Sequence, residues 1–175
     1  MKRTAILLLA LLLLFALGCG KPEAAADDPN VVFVDPNAVH GGEYGDLYFE
    51  ANGVRFGIFD ETEAVLEQLP AYRNTFTGET CAFDGADVYY YFSGFQIMAN
   101  DIDGTSRITA ITIADDTVKI PQGLFIGMPE ADAAAAFPAL RDADWNLEDG
   151  TALLSVTIAD GAVASIVYTP AIAED

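Results

Sequence analysis

The stretch NGVRFGIFDETEAVLEQLP (52–70) reads against a second stretch, PQGLFIGMPEADAAAAFP (121–138), at a constant shift of 68 residues. Phe56 and Ile58 match Leu124 and Ile126, Leu69 matches Phe137, and Pro70 matches Pro138. Each copy opens with an alternating, strand-like piece and runs into a short helical stretch. The helical stretch stops at a proline, which has no N–H to donate and clashes with the preceding turn. Asp60 or Thr62 stands where a cap is wanted in the first copy, and Pro129-Glu130 opens the helix in the second. The pattern predicts helices over 61–69 and 130–137.

Strand patterns follow both helices. VYYYF (88–92), GFQIMA (94–99) and RITAITIA (107–114) come after the first; WNL (145–147), ALLSVTIA (152–159) and AVASIVYT (162–169) come after the second. Asp103-Gly104 and Asp160-Gly161 precede the last strand of each set, and Asp-Gly tolerates the positive φ of a tight hairpin. Ile108, Ile111 and Ile113 match Val163, Ile166 and Tyr168 at a shift of 55. The expected fold class is therefore α+β: two tandem units, 46–116 and 117–175, each laying one helix across about three antiparallel strands. Units this small bury little alone, so they should share a sheet or core, with Ile111, Ile113, Ile166 and Tyr168 beneath the helices.

Working outward to the N-terminus, Lys2 and Arg3 precede an unbroken apolar run from Ala5 to Leu17, and Gly18 precedes Cys19. A membrane span needs about 20 apolar residues, so the run suits a cleaved export signal over 1–18. FALGC (15–19) resembles a bacterial lipobox, with Ala16 where Leu is usual and Leu17 where a small residue is usual. The resemblance implies cleavage before Cys19 and diacylation of its thiol, anchoring the protein to the outer face of the bacterial cytoplasmic membrane. Each buried methylene contributes about 0.8 kcal/mol, so more than one chain on Cys19 suffices for stable anchoring. Residues 19–45, with KPEAAADDPN and VDPNAVHGGEYG, have the Pro, Gly, Ala and Asp content of a flexible acidic linker. VVFV (31–34) within it has the makings of a short strand.

The chain carries 8 Lys and Arg against 27 Asp and Glu, a formal charge of -19; loss of residues 1–18 leaves 6 against 27, or -21. Such a body repels phosphate-rich polymers and anionic lipid surfaces, which excludes nucleic acid as a partner and predicts a domain standing off the membrane on its tether. A 52% hydrophobic content excludes general disorder. With Cys19 lipidated, Cys81 is left without a partner, and its place before Ala82-Phe83 favours a buried thiol.

The tandem layout resembles the β-lactamase inhibitory protein fold. NGVRFGI, TCAFDGADVYYYFSGFQI, DGTSRITAITIADDTV and PQGLFIGMPEADAAAAF are similar to uncharacterised acidic lipoproteins of clostridial-type bacteria over 49–168. The first likeness implies architecture only, since no segment matches the inhibitor's enzyme-contacting loops, and a fold does not carry a function with it.

Signs of catalysis are few. His40 lies in the linker, followed by Gly41 and Gly42, away from Cys81, and there is no GxSxG, HExxH, phosphate-cradling loop or zinc-type cluster. Asp115-Asp116, Asp142 with Asp144, and Glu148-Asp149 offer paired carboxylates, but a chain with 27 acids is expected to show such pairs on a solvated surface. ANDIDG (99–104) sets Asp101, Asp103 and Gly104 at the third, fifth and sixth places of a calcium loop, yet the first and twelfth places hold Ala99 and Ala110. No catalytic, metal or cofactor residue is assigned.

Alternation along DVYYYFSGF puts Val88, Tyr90 and Phe92 on one sheet face and Tyr89 and Tyr91 on the other. If the first face meets the helices, the two tyrosines stand on a free face as an interaction surface. The leading expectation is a non-enzymatic, lipid-tethered binding module for a protein or small ligand. A secreted envelope hydrolase using surface carboxylates and a purely structural envelope component are the alternatives. Metabolic labelling with a fatty-acid analogue in a bacterial host should mark the full chain and fail to mark Cys19→Ser; equal labelling of both refutes lipidation at this residue.

Overall fold

Residues such as those in SIVYT (165–169) alternate between half-buried and buried positions with the two-residue period of a strand packed on one side. In the computed structural model, which describes residues 47–80 and 83–171, strand outweighs helix, at 48% of the described residues. A hairpin of β1 (Phe49–Ala51) and β2 (Val54–Phe56) is followed by α1 (Thr62–Leu66). Four strands come next: β3 (Asn74–Glu79), β4 (Asp84–Tyr91), β5 (Phe95–Ile102) and β6 (Thr105–Ile113). Then α2 (Glu130–Ala136) and α3 (Pro138–Asp142) lead to β7 (Asn146–Asp149), β8 (Ala152–Ala159) and β9 (Ala162–Pro170). The strands β3 to β9 form one antiparallel sheet in the order β3-β4-β5-β6-β9-β8-β7. The expected signal, Cys19, the linker with His40, and Cys81 lie outside the described residues.

The expectation of an α+β chain made of two helix-plus-sheet units is corrected by this architecture. Among the described residues strand accounts for 48% and helix for 14%, in a seven-stranded sheet with a separate two-stranded one. α1 and α2 fall within the expected stretches but have only five and seven residues, and α3, of five, is not among those expected. A five-residue helix is only about 7.5 Å long, too short to lie across a sheet as a layer. Each buries little: Thr62 and Val65, then Ala133, then Leu140. Neither proposed cap serves α1, because Thr62 is inside the helix and the Asp60 carboxylate accepts from the Gly57 N–H at 2.9 Å. Pro138 does end α2, but it also opens α3, at the first helical position that proline suits.

Within the one sheet, the internal correspondence reappears as backbone hydrogen bonding. Phe59 N–H donates to Ile108 O, and Gly127 N–H donates to Val163 O, both at 2.7 Å. Ile108 N–H returns to Asp60 O, and Val163 N–H to Met128 O. Isolated bridges join Glu61 to Arg107 and Pro129 to Ala162. Shifts of 68 and 55 relate all three pairs. The register skips Thr109 in β6 and Ala164 in β9, so the bulges also correspond. Asp103-Gly104 and Asp160-Gly161 have matching φ of 54° and 79° against 52° and 75°, with both residues positive as the tightest hairpin turn demands.

The core lies on one sheet face. Phe95, Ile97, Ile108, Ile111 and Ile113 share it with Leu154, Val156, Ile166 and Tyr168, all buried. The β1–β2 hairpin closes it. Phe49 packs against Phe56 at 5.4 Å, Phe95 at 5.0 Å and Tyr168 at 6.3 Å between ring centroids. The Tyr168 hydroxyl donates to Gln122 Oε1 at 2.6 Å, while Gln122 Nε2 donates to Tyr48 O at 3.3 Å. Burial, with Tyr48 adding to it, pushes the Tyr168 phenol far above its ordinary value, so it remains a donor at physiological pH. Ile111 and Ile166 are fully buried at corresponding positions. Truncating either to Ala should cost about 2–5 kcal/mol in urea unfolding. A loss below about 1 kcal/mol at both would be that of an exposed position.

Candidate functional site

Directly paired residues in an antiparallel sheet project from the same face, so the register identifies the second face. Asn74, Tyr91, Gln96, Thr112, Val167, Ser155 and Asn146 form one row crossing all seven strands. Phe76, Tyr89, Met98 and Ala110 form a shorter row beside it. None of Tyr89, Tyr91, Met98, Val167 or Leu153 joins the core cluster, whereas Tyr90 packs against that cluster and Phe92 belongs to it. Tyr89 and Tyr91 thus stand opposite Tyr90 and Phe92, half-buried by their sheet neighbours. Their rings lie 6.5 Å apart and 21° from parallel. Phe76 on β3 adds a third ring 6.0 Å from Tyr89 and is 56% exposed.

A polar line runs from these rings into the sheet. The Asp87 carboxylate hydrogen-bonds Tyr89 and accepts from Asn100 Nδ2 at 2.6 Å; Asn100 Nδ2 also reaches Ala86 O at 3.3 Å. Thr109, turned by the β6 bulge, donates its hydroxyl to Asn100 Oδ1. Asn100 and Thr109 are each 1% exposed, so every partner they have is needed. Desolvation, then the Asp87 charge, raises the Tyr89 phenol above its ordinary value and keeps it a neutral donor. Sequence patterning singles out Tyr89 and Tyr91 but misses Phe76, Asn100 and Thr109. The last two are buried beside Ala99 and Ala110, where strand alternation breaks, and polar residues alone in mixed strands give no distinct signal of it.

The other candidate residues are not gathered into a reactive site. Asp103-Gly104 forms the two-residue β5–β6 turn, with Gly104 N–H donating to Asp101 Oδ1 at 2.8 Å. Asp115 accepts from the Thr117 N–H and hydroxyl in an exposed turn, which holds its carboxyl below the usual range. The open depression among Tyr48, Glu50, Lys119 and Pro121 is lined by no Ser, Thr, Cys or His, and Glu50 there pairs with Arg55 at 2.9 Å. No three His, Cys, Asp or Glu side chains converge as a metal site among the described residues.

Comparison with family models, with curated proteins and with solved structures finds no match to this chain. Within the site, Asn100→Ala should leave the Thr109 hydroxyl only its long, 3.4 Å bond to Met98 O, take the amide donor from Asp87, and cost about 1–3 kcal/mol in chemical denaturation. A neutral result would show that the polar line is not needed to hold this face.

Proposed function

We propose that the chain is a lipid-anchored extracytoplasmic binding module that recognises its partner by contact, without catalysing a reaction. The observation that carries this reading is the aromatic group Phe76, Tyr89 and Tyr91 on the sheet face away from the core. Tyrosine offers apolar ring area with a hydroxyl that stays hydrated, so such a group tolerates water until a partner arrives, and aromatic side chains concentrate binding energy at interfaces. The transverse row beside it, from Asn74 to Asn146, presents amide, hydroxyl and aliphatic groups with no charge to desolvate. The lipobox-like FALGC supports placement at the outer face of the cytoplasmic membrane, and the acidic linker supports a domain held clear of anionic lipid.

The test uses the full chain in detergent, with and without the double substitution Tyr89→Ala and Tyr91→Ala, as bait in bacterial envelope extract. Circular dichroism first establishes that the variant is folded. The expected outcome is that the principal captured partner is lost from the folded variant. Retention of every partner overturns the assignment of this face.

A further inference from the structure

The two ends of the sheet are built differently. At one end β7 is four residues long and carries Glu148 and Asp149, the short and charged form that discourages further pairing. At the other, β3 runs for six residues, NTFTGE, with neither Lys nor Pro and every position exposed except half-buried Gly78. Among the described residues no strand pairs with its outer side, so its outward N–H and C=O groups form a template for another strand.

The only large hydrophobic side chains that remain well exposed among the described residues flank this edge, Phe76 at 56% and Tyr72 at 44%. They stand on opposite faces. Phe76 is paired with Tyr89 on the face away from the core, whereas the Tyr72 ring packs edge-on to Tyr90 at 5.2 Å and to Phe92 at 6.3 Å on the core side. An added strand would therefore have an aromatic ring beside it on each face of the sheet.

Charge narrows the occupant. A second copy brings another chain of formal charge -19, and two such bodies repel on approach. Glu79 ends the edge strand, and Asp87 lies opposite Gly78 on the neighbouring strand. Arg73, the cation beside the edge, is already engaged with the Ser93 hydroxyl at 2.8 Å. We infer that β3 accepts an extended, basic segment of a partner protein as an eighth strand, with Tyr72 and Phe76 clasping alternate side chains. Lysine or arginine at alternate places would lie on one face of the sheet, over the ring there, in a strongly negative field, while the residues between them pack on the ring of the other face. This rests on the binding-module reading and gives it a partner chemistry and a docking mode.

The test presents the detergent-solubilised full chain with three capped octapeptides. The first alternates Arg with Val, the second has the same side chains with alternate backbone nitrogens methylated, and the third replaces Arg by Glu. Fluorescence anisotropy should show the first binding about tenfold or more tighter than either other, a gap of about 1.4 kcal/mol. Hydrogen exchange should slow at residues 74–79 when it binds. Tyr72→Ala with Phe76→Ala should weaken it about tenfold. Equal binding of the methylated peptide, which keeps the charges but cannot complete the ladder, overturns strand addition. Equal binding of the Glu peptide overturns the basic partner. A chain that sediments as a dimer, with 74–79 protected until dilution, assigns the edge to a second copy and overturns the proposal. If these peptide results fail while envelope capture still depends on Tyr89 and Tyr91, the edge proposal falls and the binding-face reading stands.

Discussion

Only two residue pairs, Ile111 with Tyr168 and Thr112 with Val167, join β6 to β9, and the continuity of the seven-stranded sheet depends on that seam. Two backbone pairs are a weak join, since each hydrogen bond nets about 1 kcal/mol once water is counted. Side chains reinforce it. Phe49 contacts Phe95 on one side of the seam and Tyr168 on the other, while Gln122 ties the Tyr168 hydroxyl to the main chain of Tyr48. The β1–β2 hairpin therefore acts as a clasp. Away from the seam the two central strands part, and their free stretches are paired by 59–61 and 127–129 instead.

Those two pairing segments solve the same geometric problem with different residues. Each needs a left-handed residue where the chain leaves its pairing with β6 or β9 and enters the following helix. Gly127 adopts φ 87° without steric cost, whereas Phe59 adopts φ 69°, a conformation costing a bulky residue on the order of 1–3 kcal/mol. Phe59 is held there by the Ile108 carbonyl, by Arg107 Nη1 donating to its own carbonyl at 2.9 Å, and by burial of its ring. Packing and hydrogen bonding thus outweigh local preference at this point. Gly94 illustrates the opposite case: a Cβ there would come within 2.5 Å of Val118 and 2.8 Å of Thr117, so the close approach of that loop requires glycine.

Legibility in the sequence followed burial. The strands from β4 to β6 and β7 to β9 were readable because their inward and outward residues differ in character. The same period separated Tyr89 and Tyr91 from Tyr90 and Phe92. β3 gave no such signal, since nearly all its residues are exposed and nothing alternates. The helices were readable in place but not in rank. EADAAAA has the composition of a good helix, yet alanine offers little surface to bury, so α2 could not become the layer that covers the sheet. That layer came from Phe49 and Phe56 around Asn52-Gly53, a turn with both φ positive whose flanking strands are three residues each. Asn100 and Thr109 illustrate a different limit. Asn100 finds Asp87 on β4 and Thr109 finds Asn100 on β5, so only the register reveals why polar side chains are buried there.

The acidity of the chain bears on the same edge that lacks local protection. An uncharged strand such as NTFTG at a sheet boundary invites pairing between copies, and many β proteins prevent this with lysine, proline or a bulge on the edge itself. Here the edge has none of these, but the body carries 27 acids against 8 bases. Screening limits the reach of each charge to about 8 Å at physiological ionic strength, yet an edge-to-edge approach brings acidic surfaces within that distance. Net charge can therefore supply the specificity that edge chemistry omits: it disfavours another copy without occupying the hydrogen-bonding groups. The same field leaves a partner of opposite charge free to approach, so solubility and selectivity follow from one electrostatic asymmetry.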